Sequence, residues 1–169
     1  WALLLCRHAG QEEVVVGAPY HGRDVAGSEG LIGYVVNMLP LLVDVARERT
    51  VGALLRRTRD VAAAGIAHAA LPFQQMLEEE LPRRAFDASR NAVFQTMFTW
   101  DDDADIQLAS RAVGGVGEGV GWGGSVRLEA AELESAAAGI AKAELTLSAG
   151  VGASGGIEGT IEFNTDLFE

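Results

Sequence analysis

The chain is short of the residues from which several kinds of protein are built. Its single cysteine, Cys6, among 169 residues excludes an internal disulfide framework and every zinc pattern that needs paired cysteines. A reducing cytoplasm fits such usage. Basic residues are scarce, with 13 Lys and Arg against 24 Asp and Glu and a net charge of −11. That balance repels phosphate backbones, so no nucleic-acid partner is expected. The one basic group, Arg56, Arg57 and Arg59, lies on a helical pattern and reads as a solvated face. Long apolar runs are missing too. The opening Trp1-Ala2-Leu3-Leu4-Leu5-Cys6 stops at Arg7, far below the roughly 20 residues that cross a bilayer, and it lacks the basic start of a signal peptide. No membrane partner is expected. The start at Trp1 and the end at Phe168-Glu169 both read as cuts from something longer.

What is present suits one domain, since a 169-residue chain that is 49% hydrophobic can bury one core. Residues 1 to 9 read as the last turns of a helix stopped by Gly10. Glu12 to Pro19, with three consecutive valines closed by Gly17-Ala18-Pro19, reads as a buried strand, and Leu39 to Val45 as another. Val51, Leu54, Leu55, Thr58, Val61, Ala62, Gly65 and Ile66 recur at helical spacing over residues 51 to 71, up to Pro72. A second helix is expected from Phe73 to Leu81, ended by Pro82. From Val93 the period changes to two, with Phe94, Thr96, Phe98 and Trp100 on one side of a strand. Further strands are expected at Val126 to Leu133, Lys142 to Leu147 and Ile157 to Phe163. The sum is an α/β layered domain in which two central helices are followed by an antiparallel run of strands. The glycine-rich stretch from Gly114 to Gly124 contains Gly-x-Gly-x-x-Gly spacing, but no strand leads into it and no helix follows, so it reads as a loop rather than a phosphate cradle.

Five short stretches then stand out. Val14-Val15-Val16-Gly17-Ala18-Pro19 runs on to Gly22-Arg23, and Gly33 to Leu41 contains Asn37-Met38-Leu39-Pro40. His68-Ala69-Ala70-Leu71-Pro72-Phe73 and Asp87-Ala88-Ser89-Arg90-Asn91 follow, and Asn164-Thr165-Asp166-Leu167-Phe168 closes the chain. In this order they resemble the later motifs of condensation domains from nonribosomal peptide synthetases, with Lys142 to Leu147 and Asn164 to Phe168 matching the family's closing strands. The departures are Met38 in place of threonine, Ala69-Ala70 in place of a Gln-Asp pair, and Ala92 in place of proline. The family's signature of two adjacent histidines followed by Asp-Gly belongs upstream of these motifs, and this chain has no His-His pair.

The resemblance implies one lobe, the C-terminal subdomain over residues 1 to 169, of a two-lobed chloramphenicol acetyltransferase-like fold, with a mixed or antiparallel sheet packed with two central helices. It also implies amide formation between a thioester donor and an amine acceptor. Both would arrive on the 4'-phosphopantetheine arms of carrier proteins, so the expected partners are donor and acceptor carriers and the N-terminal lobe, with no cofactor bound directly. A histidine suits proton transfer near neutrality, and that histidine would lie in the other lobe. No catalytic residue is expected here. By resemblance Arg90 pairs with the aspartate of the His-His motif, a bidentate task that suits a guanidinium fork, with Ser89 and Asn91 beside it. Asn37 reads as structural, capping a turn, and His68 as a packed or capping histidine. His21, Arg23 and Met38 are candidates for a channel wall or a loop at the site, and no residue is expected to bind metal.

Two other classes of function compete with this reading. One is a noncatalytic condensation-like platform that recruits carrier proteins or tailoring enzymes, to which the loss of Gln-Asp at Ala69-Ala70 points. The other is a free-standing acyltransferase that uses coenzyme A. A lobe without its partner would expose an apolar face and self-associate.

Overall fold

The computed structural model describes residues 1–23, 26–28, 31–48, 50–80, 90–101, 141, 143–151 and 155–168. Ser89, Lys142, the glycine-rich stretch and the strand expected at Val126 to Leu133 lie outside the described residues. Helix α1 (Ala2–Ala9) ends where the sequence places its stop. Gly10 takes the left-handed conformation, φ 66°, which glycine adopts without a Cβ clash, and Gln11 N–H donates to the Cys6 carbonyl to close the last turn.

Strands β1 (Glu13–Tyr20) and β2 (Asn37–Asp44) pair antiparallel from Glu13 opposite Asp44 to Tyr20 opposite Asn37. Helix α2 (Val51–Ala67) starts on Thr50, whose hydroxyl accepts from Ala53 N–H at 3.2 Å and so satisfies one of the donors that a helix start leaves open. It ends at His68, four residues before Pro72, and α3 (Phe73–Glu80) follows. Strands β3 (Thr96–Asp101), β4 (Leu145–Val151) and β5 (Ile157–Phe163) complete one sheet in the order β2-β1-β3-β4-β5.

Two sequence expectations change here. The later strands are not an antiparallel run. β3 lies parallel to both β1 and β4, and among the later strands only β4 and β5 pair antiparallel, so the sheet is mixed. A parallel pair needs a long crossover rather than a hairpin, and alternation along a strand does not reveal its neighbour's direction. Asn164 to Phe168 forms no closing strand either. β5 ends at Phe163, and the Asn164 carbonyl accepts from Leu167 and Phe168 N–H at 3.0 and 3.1 Å in a turn.

Helix α2 lies on β2 at a glycine. A Cβ on Gly65 would stand 2.7 Å from the Leu41 methyl, so the close approach requires the missing side chain. Among the described residues the buried apolar set is small, comprising Cys6, Val16, Leu39, Val43, Phe94 and Ala149. All of β5 is exposed, including Ile157, Ile161 and Phe163, and so are Leu31, Ile32 and Tyr34 before β2. That distribution places the core under β1 and β2 and leaves apolar surface at the β5 edge and in the loop before β2.

Candidate functional site

Three distant motifs meet at one end of the sheet. Met38 comes from β2, Arg90, Asn91 and Phe94 from the segment that leads into β3, and Glu144 and Asn164 from the ends of β4 and β5. Together they line a cleft of about 350 Å³. Parallel pairing makes the gathering possible, because Thr96 in β3 lies opposite Leu145 in β4 and the residues just before each strand therefore emerge side by side.

Arg90 is the strongest electrostatic feature of this cleft. Its Nε donates to Glu144 Oε1 at 2.6 Å and its Nη2 to Oε2 at 3.1 Å, so both carboxylate oxygens sit on one edge of the guanidinium. This is the fork geometry that arginine supplies and lysine cannot. Asn91 shapes the turn that follows. Its Oδ1 accepts from Val93 and Phe94 N–H at 3.0 and 3.3 Å, and its carbonyl accepts from Gln95 Nε2 at 2.9 Å. An asparagine that bonds backbone two and three residues ahead fixes a turn in this way.

Asn37 bonds backbone groups far beyond its own turn. Its Nδ2 donates to the carbonyls of Ala69 and Leu71 at 3.0 and 2.8 Å, and its Oδ1 accepts from Met38 and Phe73 N–H, both at 2.9 Å. One amide thus fastens the start of β2 to the α2–α3 connection and caps the start of α3. Replacement by alanine is expected to cost about 2–4 kcal/mol, from several lost bonds in a part-buried place. Asn37→Asp should cost as much, because a carboxylate cannot donate to two carbonyls. Urea unfolding of both variants measures this.

His21 and Arg23 are not part of the cleft lining. His21 Nδ1 accepts from Arg23 N–H at 3.0 Å and its ring stacks on Tyr20 at 5.0 Å, while Arg23 Nη1 donates to the Leu31 carbonyl at 3.2 Å. These contacts tie the loop after β1 to the segment before β2. Gly22 between them has φ 65°, and a Cβ there would collide with the Val35 carbonyl oxygen. His68 is exposed and stands at the C-cap position of α2, where its backbone N–H makes the closing bonds. Cys6 is buried. Burial pushes its thiol up from the usual range, and the charges of Asp44 and Glu13 add to the effect, which keeps it neutral. Among the described residues no group of side chains could hold a metal ion, and no helix is long and apolar enough to cross a membrane.

Sequence reasoning misses Glu144 as a site residue. It is a polar position in an alternating strand pattern, and its partner lies 54 residues away. The turn residue Asn164, whose N–H donates to the Glu144 carbonyl at 3.0 Å, likewise reads in sequence only as part of a closing strand.

A family model described as "Condensation domain" matches residues 1–169. The chain belongs to the condensation domain family. Among curated proteins it is 33% identical over 171 residues to malpinin synthetase of Mortierella alpina, covering 100% of this chain and 2% of that one. It is 31% identical over 167 residues to surfactin synthase subunit 1 of Bacillus subtilis, covering 98% of this chain and 4% of the other. The chain therefore spans a small fraction of the curated relatives it matches. Among solved structures, a four-domain nonribosomal peptide synthetase bound to AMP and glycine superposes with a TM-score of 0.72 at 18% identity, over 97% of this chain and 12% of that one. The condensation domain of the Monacolin K polyketide synthase MokA superposes at 0.63 and 18% identity, over 99% of this chain and 35% of that chain. At such identities these matches speak for the fold, and the fold is that of condensation domains, which is chloramphenicol acetyltransferase-like.

Proposed function

We propose that the chain is the C-terminal lobe of a condensation domain that forms amide bonds in nonribosomal peptide synthesis. In this reading the acceptor amine attacks the carbonyl carbon of the donor thioester. The C–N bond forms, the C–S bond breaks, and the amine proton leaves while the donor thiol regains one. Donor and acceptor each arrive on the 4'-phosphopantetheine arm of a carrier protein inside the cell, and the lobe binds no cofactor of its own. By resemblance the proton-transferring histidine belongs to the N-terminal lobe, and none of this chain's histidines, His8, His21 and His68, lines the cleft. The lobe supplies channel wall and docking surface and is inactive alone. Without its partner lobe it self-associates through its exposed apolar surface.

The observation that carries this reading is the cleft itself, in which motif residues far apart in sequence converge around a forked arginine, and the one carboxylate among its described lining residues, Glu144, is engaged with that arginine. The loss of the Gln-Asp pair at Ala69-Ala70 removes two side chains and leaves the main-chain joint to Asn37 in place, since Asn37 binds the Ala69 backbone carbonyl. The test is turnover by the full-length protein carrying this chain, with loaded donor and acceptor carriers or with acyl-coenzyme A, followed by mass spectrometry. Amide product from the carriers is expected. Carrier binding without product would support the noncatalytic platform, and acylation from coenzyme A without carriers would support the free-standing acyltransferase.

A further inference from the structure

The polar and apolar parts of the cleft lining differ in what they are engaged with. Every polar side chain there takes part in a bond of the protein's own: Arg90 with Glu144, Asn91 Oδ1 with Val93 and Phe94 N–H, Gln95 Nε2 with the Asn91 carbonyl, and Asn164 Oδ1 with Asp166 N–H at 2.9 Å. The rest of the described lining is apolar and consists of Met38, Phe94, Met97, Ala141 and Ala143. Two of the three methionines of the chain are among them.

Sheet register puts those two on one face. Met38 in β2 lies opposite Pro19 of β1, and Met97 in β3 lies opposite Gly17. Residues directly opposite one another share a face, and so do residues two apart on a strand, so Met38 and Met97 flank β1 from either side. Between them Gly17 has no side chain, and the Phe94 ring takes the space that a Cβ would fill. Met38 and Met97 are part-buried, whereas Phe94 is only 3% exposed. The wall is therefore a fixed aromatic ring with an unbranched thioether on either side. Such a surface adapts to apolar groups of different shapes, because methionine is unbranched and its sulfur polarisable. It returns little to a hydroxyl or amide that gives up its water. The cleft volume of about 350 Å³ is at the lower end of the range for small-molecule sites, about 300–1,000 Å³, and suits one side chain rather than a whole substrate.

We propose that Met38, Met97 and Phe94 form a subsite for an apolar side chain, aliphatic or aromatic, of a carrier-bound substrate. This inference rests on the reading under Proposed function for what enters the cleft, while the apolar wall stands by itself. The three residues touch the side chain and no reacting atom, so their part is specificity. The same apolar group can belong to the donor or to the acceptor, and the experiment separates the two.

The experiment uses the full-length protein with preloaded carriers and reads amide product by mass spectrometry. Leucyl is compared with seryl on the donor carrier in one arm and on the acceptor carrier in the other. In one of the arms kcat/KM for leucyl is expected to exceed that for seryl by about tenfold or more, the scale on which apolar pockets discriminate small changes in a side chain. Met38→Gln combined with Met97→Gln keeps the side-chain lengths, adds two amides and should bring the ratio close to one. Met38→Leu combined with Met97→Leu should keep the preference. Because the ratio compares two substrates in one preparation, any loss of folded protein cancels. No leucyl preference in either arm, or a preference unchanged in the Met38→Gln, Met97→Gln double variant, would overturn the proposal. The pantetheine amide of photoleucine, whose side chain carries a diazirine, gives a readout that needs no turnover. Irradiation should label peptides that contain Met38 or Met97, and leucyl pantetheine amide should suppress that label where seryl pantetheine amide does not. Label absent from those peptides, or suppressed equally by both, sinks the subsite. Absence of amide turnover in the unaltered protein sinks the functional reading and leaves the photolabel to decide on the subsite.

Discussion

Arg90→Ala in the full-length protein is expected to reduce amide formation about a hundredfold or more, with the protein still folded. The side chain is more than half exposed and is not in the core, so its removal leaves the packing of β1 and β2 intact. What it removes is a planar, permanently charged fork at the wall of the cleft. By resemblance that fork anchors the aspartate beside the catalytic histidine, and a reacting group displaced by about 1 Å can lose about two orders of magnitude in rate. Arg90→Lys should recover little, because an ammonium carries the charge without the two-pronged geometry. Single-turnover rates from preloaded carriers measure the loss. Rates equal to those of the unaltered protein in both variants would remove Arg90 from the machinery.

Phe94→Ala is expected to cost about 3–5 kcal/mol of stability, a large share of the total for a domain whose net stability is of the order of 5–15 kcal/mol. Phe94 is only 3% exposed, its ring centroid lies 5.6 Å from that of Phe73, and its main chain is pinned by Asn91. It also packs against Gly17 in β1, where a Cβ would run into the ring. Gly17→Ala should therefore cost about 1–3 kcal/mol, because the obstacle is a packed ring rather than the free end of a flexible side chain. The two positions share one space, so Gly17→Ala combined with Phe94→Ala should cost less than the sum of the single changes. Urea unfolding of the three variants checks both the magnitudes and the coupling. Additive costs would show that the ring and the glycine do not meet.

The extent to which the fold can be read from sequence follows the range of each interaction. The valine run of β1, the helical spacing of α2, the Gly10 stop and the bounds of β5 are local signals, and the structure bears them out. Strand order and direction are not local. Nothing in Thr96 to Asp101 or Leu145 to Val151 says that these segments run parallel. The site divides in the same way. Arg90, Asn91 and Met38 are legible through the resemblance of their motifs, and the structure brings all three to the cleft. Glu144 is not, because a glutamate on the polar side of an alternating strand looks like any solvated position until its partner is known. Asn37 reads as a turn residue for the same reason, since its bonds span 32 to 36 residues and leave no mark near position 37.

The most direct test of the account compares the chain of residues 1–169 by itself with the full-length protein in amide formation from loaded carriers, read by mass spectrometry. Circular dichroism establishes beforehand that the chain alone is folded. The account predicts product from the full-length protein and none above background from the folded chain. Product from the chain alone at a comparable rate would contradict it, because the cleft of Arg90 and Glu144 would then contain the whole of the catalytic machinery.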